Sequence, residues 1–97
     1  VVRKNIREKK SSDFYLDSLN LTIHSTNDKQ GVLVIQVDEE SSLQIGDIIT
    51  EVNRELVTNT NNFIELIETI KKTGRNSLLL KIIRDDKSLW ITIQFLK

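Results

Sequence analysis

The sequence predicts a β-rich α+β domain, a partly open antiparallel β-barrel or sandwich of about six short strands. Three observations predict it. Apolar residues alternate with polar ones in several short segments, one longer segment has apolar residues at helical spacing, and the three glycines fall at boundaries between these segments. One long helix and one short helix or turn would cap the sheet.

Composition limits the number of domains and the classes of partner. The 97 residues correspond to one domain, because single domains most often have about 100 to 150 residues. Fourteen basic residues balance 14 acidic ones, so no net charge favours nucleic acid or a membrane surface as partner. The absence of cysteine excludes disulfides, and no apolar run approaches the ~20 residues that span a bilayer. We expect no cofactor and no metal site.

Residues 1–13 are basic and contain few apolar side chains. This composition is typical of a linker or a tail from a preceding domain. A basic arm that binds nucleic acid is an alternative, but the segment has no aromatic residue on which bases could stack. Because the chain begins at Val1 and not at methionine, we expect it to be a piece of a longer protein. The folded domain is predicted at residues 14–97.

Three strands are predicted in the first half of the domain. Apolar and polar side chains alternate across residues 19–24, and a second strand, rich in β-branched residues, follows Gly31. The pair Gly46-Asp47 then marks a turn before the third strand. In that strand Ile49 and Val52 are three positions apart, which breaks strict alternation and predicts a bulge.

The second half predicts the long helix and a terminal hairpin. In NTNNFIELIETIKKTG, residues such as Phe63 and Ile67 form one apolar stripe at helical spacing. Candidate N-caps lie at residues 59–62, and Gly74 stands at the left-handed position that ends many helices. The segments SLLLKIIR and SLWITIQF flank residues 85–87, which predicts a hairpin although its turn lacks glycine.

At LQIGDIITEVN the chain resembles a PDZ domain. The recurring element of that family is an apolar residue, two variable positions, Gly-Asp, and an apolar strand ending in Val-Asn-Gly. It is matched here by Leu43, Gly46-Asp47, Ile49 and Val52-Asn53, with Arg54 where glycine is usual. The preceding strand and the long helix also stand in the family's order, and the resemblance covers roughly residues 16–96. Within the family, the layout is most similar to domains of bacterial HtrA/DegP-type envelope serine proteases.

The resemblance implies a binding site. PDZ domains add the end of a peptide as a strand to the edge of their own sheet, while backbone N–H groups of the preceding loop hold the terminal carboxylate. The corresponding residues are Ser18, Leu19, Asn20 and Leu21 for the carboxylate loop, Leu21, Thr22, Ile23 and His24 for the pairing strand, and Phe63, Ile67 and Ile70 for the pocket-lining helix. Asn20 stands in the place of the family's glycine. The groove between residues 19–24 and 63–70 is expected to be open.

The resemblance also implies a function, a non-catalytic domain that recognises apolar peptide ends for a parent serine endopeptidase of the periplasm or cell envelope. Its partners would be ends of unfolded substrates and other domains of the parent. A structural docking module that binds no free peptide is the alternative. His24 is the only histidine and no Gly-X-Ser-X-Gly motif occurs, so we predict no catalytic residue in this chain. We expect the isolated domain to be monomeric.

Overall fold

The computed structural model describes residues 13–26 and 31–95, which form seven strands and one helix. In chain order they are β1 (Asp13–Leu16), β2 (Leu21–Ser25), β3 (Val32–Val37), β4 (Ile48–Val52), β5 (Glu55–Leu56), α1 (Thr60–Lys72), β6 (Ser77–Arg84) and β7 (Lys87–Gln94). The predicted β-rich α+β class is therefore confirmed. The predicted linker, residues 1–13, lies outside the described residues except for Asp13, which begins β1.

The strands form one open antiparallel sheet in the order β1-β2-β3-β4-β6-β7, and β5 pairs with β4. Within the described residues, β1 and β7 are thus the two ends of the strand order. The register of β4 against β6 shifts between Ile49 and Glu51, which confirms the predicted bulge. In the bulge, the hydroxyl of Thr50 donates to the carbonyl of Lys81 at 3.1 Å.

The core lies between the curled sheet and one face of α1, which packs against β2 and β4. Its buried apolar residues come from nearly every element: Leu16, Leu19, Leu21, Ile23, Val32, Val34, Leu43, Ile49, Val52, Val57, Phe63, Ile67, Ile70, Leu78, Leu80 and Ile82. Among the residues that the structure describes, no helix has the length and apolar character needed to cross a membrane.

The predicted helix boundaries and hairpin are confirmed. The side chain of Asn59 caps α1 by accepting a hydrogen bond from the backbone N–H of Asn62 at 2.8 Å. Gly74 follows the helix with φ +85°. Asp85 and Asp86 both have positive φ, 53° and 65°, and so form the β6–β7 turn without glycine. Aspartate tolerates this region better than most residues do.

The structure decides one alternative that the sequence left open, and it contains a strand at the start of the domain that the sequence did not predict. The segment between β3 and β4 is a turn, which resolves the predicted alternative of short helix or turn. Strand β1 was not predicted, because Asp13–Leu16 follows a charged stretch and three of its four residues are exposed. A strand with little burial of its own has a weak alternation signal, and its pairing with β2 is what defines it.

Candidate functional site

The predicted carboxylate loop is the turn of a hairpin. Residues 17–20 connect β1 to β2, and their backbone folds back on the end of β1. The N–H of Leu19 donates to the carbonyl of Leu16 at 3.2 Å, and the N–H of Asn20 donates to the carbonyl of Asp17 at 3.4 Å. Ser18 is nearly buried here. Two loop N–H groups that the resemblance assigns to a ligand are thus directed at the chain's own carbonyls.

Asn20 takes the left-handed conformation that a glycine would take in its place. Its φ is +50°, which asparagine adopts at less cost than most residues. The side chain then connects three elements: its Oδ1 accepts a hydrogen bond from the hydroxyl of Tyr15 at 2.8 Å, and its Nδ2 donates to Asp38 Oδ1. Asn20 therefore preserves the turn geometry and also holds β1 against the end of β3.

The predicted pairing strand has neighbours on both sides. Leu21 and Ile23 of β2 point into the core, whereas Thr22 and His24 are partly exposed. On one side β2 pairs with β3, and on the other it pairs with β1 over the whole length of that strand. The expectation of an open groove is therefore wrong, because the edge of β2 that would receive a peptide is occupied by β1.

Strand β1 lies on β2 in the direction that a bound peptide end would have. It is antiparallel to β2, with Leu16 opposite Leu21 next to the turn and Asp13 opposite His24 at the far end. Leu16 is only 4% exposed and belongs to the core. At the other end, His24 Nδ1 and Asp13 Oδ1 lie 2.5 Å apart on the surface. The strand thus has one buried apolar anchor, Leu16, and polar side-chain contacts at Tyr15 and Asp13.

Two parts of α1 lie near this site, its buried face and its N-terminal end. Phe63 and Ile67 are fully buried and Ile70 is 7% exposed, so all three belong to the core. Their contact with a ligand stays a prediction. Where the helix begins, a cavity of about 320 Å³ separates it from β1 and the end of β2. Its lining residues are Asp13, Phe14, Ser25, Asn59, Thr60, Asn61 and Ile64.

An ion pair between the buried Asp47 and the partly exposed Arg84 supports the turn between β3 and β4. Asp47 is 1% exposed and accepts hydrogen bonds from the N–H of Gln44 at 2.8 Å and from Arg84 Nε and Nη2 at 2.9 and 2.7 Å. Arg84 Nη2 also donates to the carbonyl of Ser42 at 3.0 Å. The hydrogen bonds to Asp47 and the charge of its carboxylate raise the pKa of Arg84. The predicted turn at Gly46-Asp47 is confirmed, whereas sequence reasoning missed Arg84.

No group of three or more histidine, aspartate or glutamate side chains that could hold a metal ion occurs in the described part of the chain. His24, the single histidine of the sequence, contacts Asp13 on the surface. Sequence reasoning missed the residues of β1 at this site, and the apolar run Phe14-Tyr15-Leu16 was the signal that could have found them.

Comparisons with known proteins agree with the PDZ-like fold. The family model for PDZ domains matches residues 19–95. A probable periplasmic serine endoprotease, DegP-like, from Rickettsia conorii is 28% identical over 104 residues, with 95% of this chain and 20% of the relative covered. Proteins of the same description from Rickettsia prowazekii and Brucella suis are 36% and 31% identical, with 68% and 80% of this chain covered. The chain spans 13–20% of the length of these relatives.

Proposed function

We propose, because the chain belongs to the PDZ domain family, that it is the peptide-recognition domain of an HtrA/DegP-like envelope serine protease. It binds the apolar ends of unfolded polypeptides by adding them as a strand to β2. The chain matches the PDZ part of its DegP-like relatives, and their catalytic domain is not in it. The names of the relatives describe a periplasmic endoprotease. Proteolysis by the parent protein and a location in the periplasm are therefore part of the same proposal.

The observation that carries the proposal is the strand already paired with β2. Strand β1 has the antiparallel direction, the apolar last residue and the loop contact that peptide-end recognition requires. Leu16 is buried beside the turn, and its carbonyl receives the N–H of Leu19. The edge of β2 thus accepts an extended segment that ends in a leucine.

The proposed roles follow the sequence assignment. Ser18, Leu19, Asn20 and Leu21 hold the terminal carboxylate, Leu21, Thr22, Ile23 and His24 pair with the peptide backbone, and Phe63, Ile67 and Ile70 form the apolar floor beneath its last side chain. Because the described structure directs two loop N–H groups at β1 and its turn, a peptide needs β1 to leave. The partners are substrate ends and the other domains of the parent.

The proposal is tested by titrating the isotope-labelled chain with peptides that end in a free apolar residue and with the same peptides amidated. We expect amide shifts at residues 19–24 and a loss of affinity of about tenfold or more on amidation, because hydrogen bonds to a charged group are stronger than those to a neutral one. Equal affinity for the two forms would refute the carboxylate loop.

A second function, a docking module that binds no free peptide, is favoured by the occupied edge. With β1 in place, β2 has no free side, and the loop N–H groups of Leu19 and Asn20 have partners. The domain would then contact neighbouring domains of its parent through other surfaces. The same titration decides between the two, because a docking module would show no shift at residues 19–24 with any peptide.

A further inference from the structure

Strand β1 is joined to the edge of β2 by a short turn and occupies the site that the proposed function assigns to a peptide. Residues 17–20 make the connection, so β1 cannot diffuse away from β2. Three of its four residues are exposed, and only Leu16 is buried. A strand at the edge of a sheet with this little burial is among the elements that open most easily. Strand β1 can therefore be exchanged without unfolding the core.

Each residue of β1 has a distinct contact in the groove. Leu16 is buried next to the turn, where a peptide would end. Tyr15 is 55% exposed and donates its hydroxyl to Asn20, and Phe14 lines the cavity in front of α1. Asp13, three positions before Leu16, contacts the ring of His24. The order of these side chains along β1 therefore indicates which side chains the groove accepts at successive positions of an extended segment.

We propose that β1 is an internal ligand of this PDZ domain and that a free peptide binds by replacing it. This inference rests on the proposed function. The peptides that compete best carry an apolar last residue in the place of Leu16 and an acidic residue three positions earlier, where Asp13 meets His24. Such peptides reproduce the contacts that β1 gives up when it leaves.

A reversible covalent lock tests the exchange. Tyr15 and Thr22 are directly opposite in the β1–β2 hairpin, and opposite residues of antiparallel strands lie close enough for a disulfide. The natural sequence has no cysteine, so the double variant Tyr15→Cys/Thr22→Cys has one possible disulfide. The probe is the peptide Ser-Ser-Asp-Phe-Tyr-Leu with a free carboxylate, which copies residues 11–16. We expect the reduced variant to bind it and the oxidised variant to lose at least about tenfold in affinity.

The matched control places a cysteine pair in the other hairpin. Leu79 and Thr92 are opposite in β6 and β7, and Leu79→Cys/Thr92→Cys should bind the peptide equally in both redox states. If the β1 lock leaves affinity unchanged, the internal ligand is refuted while peptide recognition stands. If neither the wild type nor the reduced variant binds, the proposed function fails and the internal ligand fails with it.

A second variant covers the case in which the cysteine pair disturbs folding. Asp13→Lys replaces the carboxylate that contacts the His24 ring with an ammonium, which cannot accept a hydrogen bond. This change should release β1 and so raise affinity for the same peptide about threefold or more. Glu68→Lys makes the same charge reversal on the exposed face of α1 and should leave affinity unchanged. Equal affinities in the two variants would contradict the proposal.

The preference for an acidic residue is tested by exchanging charges across the contact. The wild type should bind Ser-Ser-Asp-Phe-Tyr-Leu roughly two to five times more tightly than Ser-Ser-Lys-Phe-Tyr-Leu, because a carboxylate can accept a hydrogen bond from the His24 ring and an ammonium cannot. In His24→Glu this preference should reverse. A change in the stability of β1 alters both affinities by the same factor and so leaves their ratio unchanged. If the ratio in His24→Glu equals that of the wild type, the role of His24 is refuted.

Discussion

Gly31 stands where two strands approach each other closely, just before β3. Its φ is +112°, a conformation that L-residues with a side chain rarely adopt. A Cβ atom at this position would lie 2.5 Å from the carbonyl oxygen of Ile49 and 3.2 Å from Cγ2 of Ile48. Both contacts are with β4, so a side chain at residue 31 would separate β3 from β4.

We predict that Gly31→Ala lowers the free energy of unfolding by about 3 kcal/mol, because backbone strain and displacement of β4 add together. Gly74→Ala is the matched control. Its φ of +85° is also unfavourable for alanine, but no atom lies within 4 Å of the added Cβ, so we expect a loss of about 1 kcal/mol. Urea denaturation of both variants measures the difference, and equal losses would contradict the steric argument.

The ion pair between Asp47 and Arg84 shows which contacts of a single residue can be predicted from sequence and which cannot. The Gly46-Asp47 pair identified a turn in which Asp47 accepts a backbone hydrogen bond, because that bond is local. Arg84 is 37 residues further along the chain and reaches Asp47 only because β6 returns beside β4. A partner so distant in sequence leaves no local pattern.

The helix illustrates what can be predicted at the scale of an element. Its apolar stripe, its cap and the glycine that follows it are local features, and all three are confirmed. The cap is reinforced by a second bond, since Asn62 Oδ1 accepts the N–H of Thr58 at 2.9 Å. Asn59 and Asn62 together satisfy backbone donors that would otherwise lack a partner where α1 begins.

We predict that Asn59→Ala destabilises the protein by about 1 kcal/mol, because the first turn of α1 loses the oxygen that accepts the N–H of Asn62. Asn61→Ala is the control, since Asn61 is exposed and lies inside the helix, where alanine is favourable. Thermal unfolding should therefore show a lower Tm for Asn59→Ala alone. A similar decrease in both variants would mean that the cap contributes nothing specific.

Alternation predicts most of the strands but not β1 or the two-residue strand β5, whose residues are both exposed. Strands β2, β3, β4 and β6 each bury one side in the core, so their sequences alternate or are strongly apolar. Strand β1 exposes three of its four residues and buries Leu16 alone. The family resemblance placed the carboxylate loop at residues 18–21 and the pairing strand at residues 21–24, but it did not indicate that β1 would fill the site.

In the whole molecule, β1 should be less stable than the central strands. Strands β3 and β4 lie inside the sheet and contain fully buried residues such as Val34 and Ile49. Strand β1 is at one end of the strand order and has a single neighbour. Because local opening follows burial, the site proposed to bind peptides should open more readily than the central strands.

Native-state hydrogen exchange tests this gradient. We expect the most protected amide of β1 to exchange on the order of 100-fold faster than the most protected amides of β3 and β6. The expected cause is opening of β1 while the core stays folded. If β1 were protected as strongly as β3, it would open only when the whole domain unfolds, and exchange with a peptide at the edge of β2 would be too rare to matter.

The shortness of the turn at residues 17–20 sets a concentration scale for the whole domain. A segment held by a short tether meets its site at an effective concentration on the order of millimolar. A free peptide with the same intrinsic affinity as β1 would therefore reach half occupancy only near that concentration. Unfolded chains at high local density can provide chain ends at about this concentration, whereas a dilute folded protein does not. If β1 is the internal ligand proposed above, the hairpin would set a threshold, so that the domain would respond to accumulated unfolded protein and ignore isolated chain ends.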